Sequence, residues 1–122
     1  MSEIIFQALE IKVKLVESKK IPFQILTFVG QINQDNAYSI SEDINIFFQS
    51  TTFNTILDLS ALEYINSIGL ASLLSIIQKV EENSGRLMIG GINSKIEIII
   101  QLLDLTNRVE IFSSVEKAIA QI

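Results

Sequence analysis

Residues 55–80 read TILDLSALEYINSIGLASLLSIIQKV and contain two hydrophobic patterns of different period. The first is a short apolar run, interrupted at Asp58, that is typical of a central β-strand covered on both faces. The second is an apolar stripe at helical spacing, formed by Leu70, Leu73, Leu74, Ile77 and Val80. It predicts a helix that faces a sheet and ends near Asn83, where Gly85 suits the left-handed closing position. A buried strand that leads into such a helix predicts an α/β fold.

Strands and helices alternate on both sides of this stretch. Residues 9–16, LEIKVKLV, alternate apolar and polar side chains, which indicates a strand near a sheet edge that forms a hairpin with residues 23–30. A helix is predicted to begin at Asp35 or Asn36 and to run to about Gln49. Further along, the pattern predicts a strand at 86–91, a helix at 93–105, a strand at 109–112, and a final helix at 113–122 capped by Ser113 or Ser114.

This order of elements predicts one domain that spans residues 1–122. Right-handed crossovers between the strands that follow the hairpin favour parallel pairing. The predicted fold is therefore α/β, with a mixed, mainly parallel five-stranded sheet and about four helices.

Charge and hydropathy exclude two classes of function. The net charge is −5, and the longest run of basic residues is Lys19-Lys20, so no surface for nucleic-acid phosphates is expected. Apolar runs fall short of the roughly 20 residues that span a bilayer, so direct membrane insertion is not expected. The start MSEIIFQ lacks the basic region of a secretory signal, and the predicted location is the cytoplasm.

Residue types also limit the chemistry. The chain has no cysteine and no histidine, so it lacks a thiol nucleophile, the commonest general base and the commonest metal ligand. The remaining acids include Asp58, Glu63, Glu81 and Glu82, which form no recognisable catalytic constellation. The sequence therefore predicts a protein that is not an enzyme and that has no cofactor and no metal site.

The segment Asn66-Ser67-Ile68-Gly69 lies where the carboxyl end of a strand meets a helix start. One interpretation is structural: Asn66 caps the helix, and Gly69 allows the helix to approach the sheet closely. The other is that the polar pair presents a functional group. Ile68, Ala71 and Ile76 lie off the apolar stripe, so they either pack beneath neighbouring helices or form a face that binds a partner.

Residues 55–119 resemble the STAS domain of bacterial anti-sigma factor antagonists. In that family an apolar strand containing an aspartate leads into Asp-Ser-small-Gly-Leu at a helix start, which corresponds here to residues 66–70. The upstream segment FVGQINQDNAYSI, residues 28–40, resembles the family's Gly-Glu-hydrophobic-Asp segment, and SSVEKAI resembles its last helix. The resemblance covers nearly the whole chain from about residue 9.

The resemblance implies a function and a site. In the family, a partner anti-sigma factor that is itself a serine kinase phosphorylates the serine of the motif, and a phosphatase is an expected further partner. Carried over by position, the phosphoacceptor is Ser67, and the implied partner-binding residues are Asn33, Asn66, Ser67, Ile68, Gly69 and Ala71. Asn33 and Asn66 stand where the family has aspartate, and Ile68 replaces a small residue.

Two alternatives remain open at the level of sequence. STAS domains also occur as subunits or appendages that brace transporters without phosphorylation, and the two asparagines suit such a scaffold. Ile98 and Leu102 form a further apolar face on the third predicted helix, which can serve either a partner protein or a homodimer.

Overall fold

A seven-stranded sheet forms the centre of the computed structural model, which describes residues 2–6, 9–16, 21–33, 35–42, 54–102 and 109–122. The strands are β1 (Ser2–Phe6), β2 (Leu9–Val16), β3 (Phe23–Ile32), β4 (Thr55–Leu59), β5 (Leu62–Ile65), β6 (Leu87–Ile92) and β7 (Glu110–Phe112). The helices of these residues are α1 (Ala37–Glu42), α2 (Ser67–Glu82), α3 (Ser94–Leu102) and α4 (Val115–Ile119). Of the predicted first helix, the part beyond Glu42 lies outside the described residues.

The sheet is mixed, with strand order β1-β2-β3-β4-β6-β7. β1, β2 and β3 pair antiparallel, whereas β3-β4, β4-β6 and β6-β7 pair parallel. β5 lies off this path and pairs parallel with β3, where Ile65 lies opposite Ile32 after a register shift between Gly30 and Gln31. β5 therefore continues β3's parallel side beyond the point where β4 ends.

The α/β class and the hairpin of β2 and β3 are confirmed, but the predicted number of five strands is wrong. β1 pairs with β2 along its whole length and takes the sheet edge that the sequence pattern assigned to residues 9–16. β5 was missed because its four residues follow β4 after a turn of only two residues. A strand this short shows no clear period in the sequence.

Two apolar cores lie on opposite faces of the sheet. The larger core joins Leu57 and Leu59 of β4 to buried side chains of α1, α2 and α3. The smaller one joins Ile56 of the same strand to Phe23, Ile25, Met88 and Ala118, beneath α4. β4 is thus covered on both faces, as predicted. Each large aliphatic side chain fully buried in this way stabilises the fold by about 1.5–3 kcal/mol.

Arg86 fastens the edge of the sheet at the amino end of β6. Its guanidinium donates to both carboxylate oxygens of Glu110, at 2.8 and 3.1 Å, and to the carbonyl oxygen of Gln121, at 2.9 Å. The hydrogen bonds from Arg86 lower the pKa of Glu110 below its usual value. This contact lies at the end of the sheet away from the start of α2.

Among the described residues, no helix has the length and apolar character that a membrane span requires.

The end of α2 differs from the prediction. The residue in the left-handed conformation is Ser84, with φ of 57°, and not Gly85. The backbone N–H of Ser84 donates to the carbonyl oxygen of Glu81 at 3.1 Å, and that of Gly85 donates to the carbonyl oxygen of Val80 at 2.9 Å. These two hydrogen bonds form the Schellman pattern. Gly85 therefore lies one position beyond the residue that closes the helix.

Ser84→Gly is expected to raise the free energy of unfolding by about 0.5–1 kcal/mol, because glycine takes the left-handed conformation without the steric cost that serine bears. The larger entropy of glycine in the unfolded chain offsets part of this gain. Urea unfolding of the two proteins measures the difference. Gly85→Ala is the matched control and is expected to cause no loss of stability, because Gly85 is not in the left-handed conformation. A loss of stability in Gly85→Ala, with no gain in Ser84→Gly, would place the left-handed residue at 85 instead.

Candidate functional site

Ser67 lies at the start of α2, directly after the carboxyl end of β5. It is the first residue of the helix and is exposed. The side-chain oxygen of Asn66 accepts a hydrogen bond from the backbone N–H of Gly69 at 2.7 Å, so the interpretation of Asn66 as a helix cap is confirmed. The backbone N–H of Asn66 donates to the carbonyl oxygen of Ile32 at 2.9 Å. The helix start is thereby fastened to the end of β3.

A tight turn after β3 lies beside this helix start. The side-chain oxygen of Asn33 accepts from the backbone N–H of Asp35 at 2.9 Å. The buried side chain of Asn36 accepts from the backbone N–H of Asn33 at 3.0 Å and donates to the carbonyl oxygen of Gln31 at 2.8 Å. Asn36 thus closes the turn from inside and leaves Asp35 exposed.

Ser72 joins the turn to α2. Its hydroxyl is fully buried and lies 3.2 Å from the carbonyl oxygens of both Ala37, at the start of α1, and Ile68, on α2 itself. A buried polar group that loses its partner costs about 1–3 kcal/mol, so this contact resists separation of the two elements. Asn33, Asp35 and Asn36 of the turn and the start of α2 therefore form one fixed surface.

Gly69 sets the distance between α2 and the sheet. A Cβ atom at this position would collide with Cγ2 of Ile32 and would lie 3.0 Å from Cγ1 of Ile65. The packing therefore confirms the prediction that Gly69 allows α2 to approach the sheet closely. Only a residue without a side chain permits this contact, which holds Ser67 at the carboxyl end of β5.

The six residues implied by the resemblance differ in their accessibility. Ser67 and Ala71 are exposed, Asn33, Asn66 and Ile68 are half-buried, and Gly69 is buried. Ile68 packs partly against the larger core, and Ile76, which lay off the predicted stripe, is fully buried in it. Most of the apolar surface in excess of the stripe is therefore used for packing within the domain. On α3, Ile98 and Leu102 are exposed by 56% and 80%.

An open depression in the surface lies beside Ser67. Asn33, Asp35, Tyr64 and Asn66 line it. The sequence did not indicate Asp35 and Tyr64 as residues of the site. Tyr64 is 52% exposed, and Asp35 is the one charged residue among the described residues of the lining. The pairing of β5 with β3 brings these residues together, because it places Tyr64 opposite Gln31, close to the turn.

The acids considered for catalysis lie in other surroundings. Asp58 accepts hydrogen bonds from the backbone N–H and the hydroxyl of Ser60, at 3.1 and 2.6 Å, and so shapes the turn after β4. Glu63, Glu81 and Glu82 are exposed. In the part of the chain that the structure describes, no three acidic side chains gather in a way that could hold a metal ion. The arrangement at Ser67 can present a hydroxyl for modification and a surface for binding.

Comparison with known proteins gives one family and several similar folds. The family model of the STAS domain matches residues 12–118. A proposed anti-sigma factor antagonist from Thermotoga maritima is 21% identical, with a TM-score of 0.76 over 92% of this chain and 93% of that chain. An anti-sigma factor antagonist from Mycobacterium paratuberculosis is 18% identical, with a TM-score of 0.66 over 92% and 93%. The anti-sigma factor antagonist SpoIIAA in its unphosphorylated form is 14% identical, with a TM-score of 0.64 over 90% and 96%.

Proposed function

Because this chain belongs to the STAS domain family, we propose that it is an anti-sigma factor antagonist-like regulatory protein. In this proposal it binds a partner anti-sigma factor that is also a serine kinase, and phosphorylation of Ser67 switches the binding. The solved structures that resemble it include anti-sigma factor antagonists, which supports this kind of function. The observation that carries the proposal is the exposed Ser67 hydroxyl at the start of α2.

The position of Ser67 suits a modification that leaves the fold intact. A phosphate adds about 1.5 to 2 negative charges. The N-terminus of a 16-residue helix such as α2 stabilises nearby negative charge by about 0.3–1 kcal/mol. Since Ser67 is exposed, the phosphate stays in water and folding of the modified chain carries no desolvation cost for it. The modification is therefore expected to change what binds to this surface and not the stability of the domain.

The surface proposed to bind the partner consists of Asn33 and Asp35 in the turn after β3 and the exposed positions of the first turns of α2. Ser67 and Ala71 provide its exposed helical part, and Ile68 contributes an apolar edge. Gly69 contributes through its close packing on the sheet and not through a side chain. The protein acts in this proposal as a binding module without catalytic activity, and a phosphatase returns it to the unmodified state.

Incubation with the anti-sigma factor kinases of the same genome and ATP is expected to add one phosphate, which mass spectrometry locates at Ser67. Ser67→Ala is expected to abolish the modification. Ser75→Ala is the matched control, because Ser75 is an exposed serine of the same helix, and it is expected to leave the phosphate in place. Phosphate at another residue, or none with any of these kinases, would overturn the switch.

A scaffold that braces a larger assembly without phosphorylation is the second candidate. The observations that favour it are the exposed Ile98 and Leu102 on α3, together with the use of both Asn33 and Asn66 in local hydrogen bonds. The two candidates differ in the surface they use. Partner binding that is insensitive to Ser67→Asp and lost in Leu102→Asp would favour the scaffold.

A further inference from the structure

The depression lined by Asn33, Asp35, Tyr64 and Asn66 offers a specific set of chemical groups. Asp35 supplies a carboxylate at an exposed position, and Tyr64 supplies an exposed aromatic ring. Among the lining residues that the structure describes, none is a lysine or an arginine. The depression is therefore complementary to a cation that can also contact an aromatic face.

The internal hydrogen bonds of the turn limit which other ligands fit. The side-chain oxygens of Asn33 and Asn66 already accept backbone N–H groups, at 2.9 and 2.7 Å. Asn36 and Ser72 hold the backbone around them from the buried side. The depression thus exists before a ligand arrives, so binding does not have to order the turn, and this lowers the entropic cost of association.

We propose that this depression binds a guanidinium group, supplied by an arginine side chain on the surface of the partner protein. A guanidinium is planar, so it can stack on the ring of Tyr64 while its N–H groups donate to the carboxylate of Asp35. A lysine ammonium carries the same charge but lacks the plane and the fork of donors. Ser67 does not line the depression, so the arginine and the group that modifies Ser67 occupy neighbouring, separate places.

This inference rests on the proposed function for the identity of the partner, but the chemistry of the depression is testable without the partner. The probe is the blocked tripeptide Gly-Arg-Gly, titrated into the ¹⁵N-labelled 122-residue chain to about 50 mM while amide chemical shifts are recorded. The result expected is saturable shifts centred on residues 33, 35, 64 and 66. Gly-Lys-Gly is expected to bind at least about threefold more weakly, and the uncharged citrulline peptide to give no saturable shifts.

Two variants test the groups involved. Asp35→Asn is expected to raise the dissociation constant at least about fivefold, and Tyr64→Leu at least about threefold, because each removes one of the two contacts. Glu63→Gln is the matched control: it removes one negative charge at an exposed neighbour outside the lining, and it is expected to leave binding unchanged. All three positions are exposed, so the variants are expected to fold, and the amide spectrum of each variant without peptide is the check.

Several results would overturn the inference: no saturable shifts with the arginine peptide, equal binding of the citrulline peptide, or equal effects of Asp35→Asn and Glu63→Gln. The result of the peptide titration can be distinguished from the result of the phosphorylation experiment that tests the proposed function. A chain that binds the arginine peptide but is never phosphorylated at Ser67 retains the guanidinium site and loses the switch. A chain phosphorylated at Ser67 that does not bind the peptide retains the switch and loses the guanidinium site.

Discussion

Gly69→Ala is expected to lower the free energy of unfolding by about 1–3 kcal/mol, although alanine is the better helix former. The added methyl group would collide with Cγ2 of Ile32 and press against Cγ1 of Ile65. Ile32 is fully buried, so it has no open space to move into. Chemical unfolding monitored by circular dichroism measures the change.

Ala71→Gly in the same helix is the matched control for helix propensity, since Ala71 is exposed. It is expected to cost about 0.5–1 kcal/mol, which is the propensity difference alone. Because alanine at position 69 gains that same propensity term, any net destabilisation by Gly69→Ala reports the collision with the sheet. A Gly69→Ala protein more stable than the wild type would show that α2 does not depend on this close approach.

The fold could be predicted well where hydrophobic period and burial coincide. β4 has an apolar run because both of its faces are covered. The alternation in β2 and the apolar run in β3 likewise follow from which of their side chains are buried. β5 could not be found in this way, because four residues next to a turn carry almost no period. Its existence depends on a long-range pairing with the end of β3, beyond the point where β4 stops.

The candidate site could be predicted only in part for a similar reason. Asn66, Ser67 and Gly69 are consecutive or nearly so, and a helix start has a local signature that the sequence shows. Asp35 and Tyr64 lie 29 positions apart and come together through the pairing of β3 with β5, for which the sequence gives no local signal. Gly85 was misassigned because the closing residue of α2 is fixed by the hydrogen bonds to Val80 and Glu81, one position earlier than the glycine.

Phosphorylation of Ser67 is expected to weaken binding of the partner kinase at least about 100-fold, which equals about 2.8 kcal/mol. A kinase must hold the acceptor hydroxyl next to the γ-phosphate of its nucleotide. The phosphate on Ser67 would therefore face the remaining phosphates of the bound nucleotide, where like charges repel and desolvation adds to the cost. Isothermal titration of the kinase with the unmodified and the phosphorylated chain measures the difference in affinity. Ser67→Asp is expected to reproduce part of the effect, and Ser75→Asp, at an exposed position eight residues further along α2, is the control for added charge.

The most direct test of the account combines that titration with thermal unfolding of the same two samples. Phosphorylation at Ser67 is expected to weaken binding at least about 100-fold without lowering the unfolding temperature, because the modified residue is exposed at a helix start. Equal affinities of the two forms would contradict the switch. A loss of binding accompanied by unfolding of the phosphorylated domain would contradict the placement of Ser67 on a surface that tolerates the added charge.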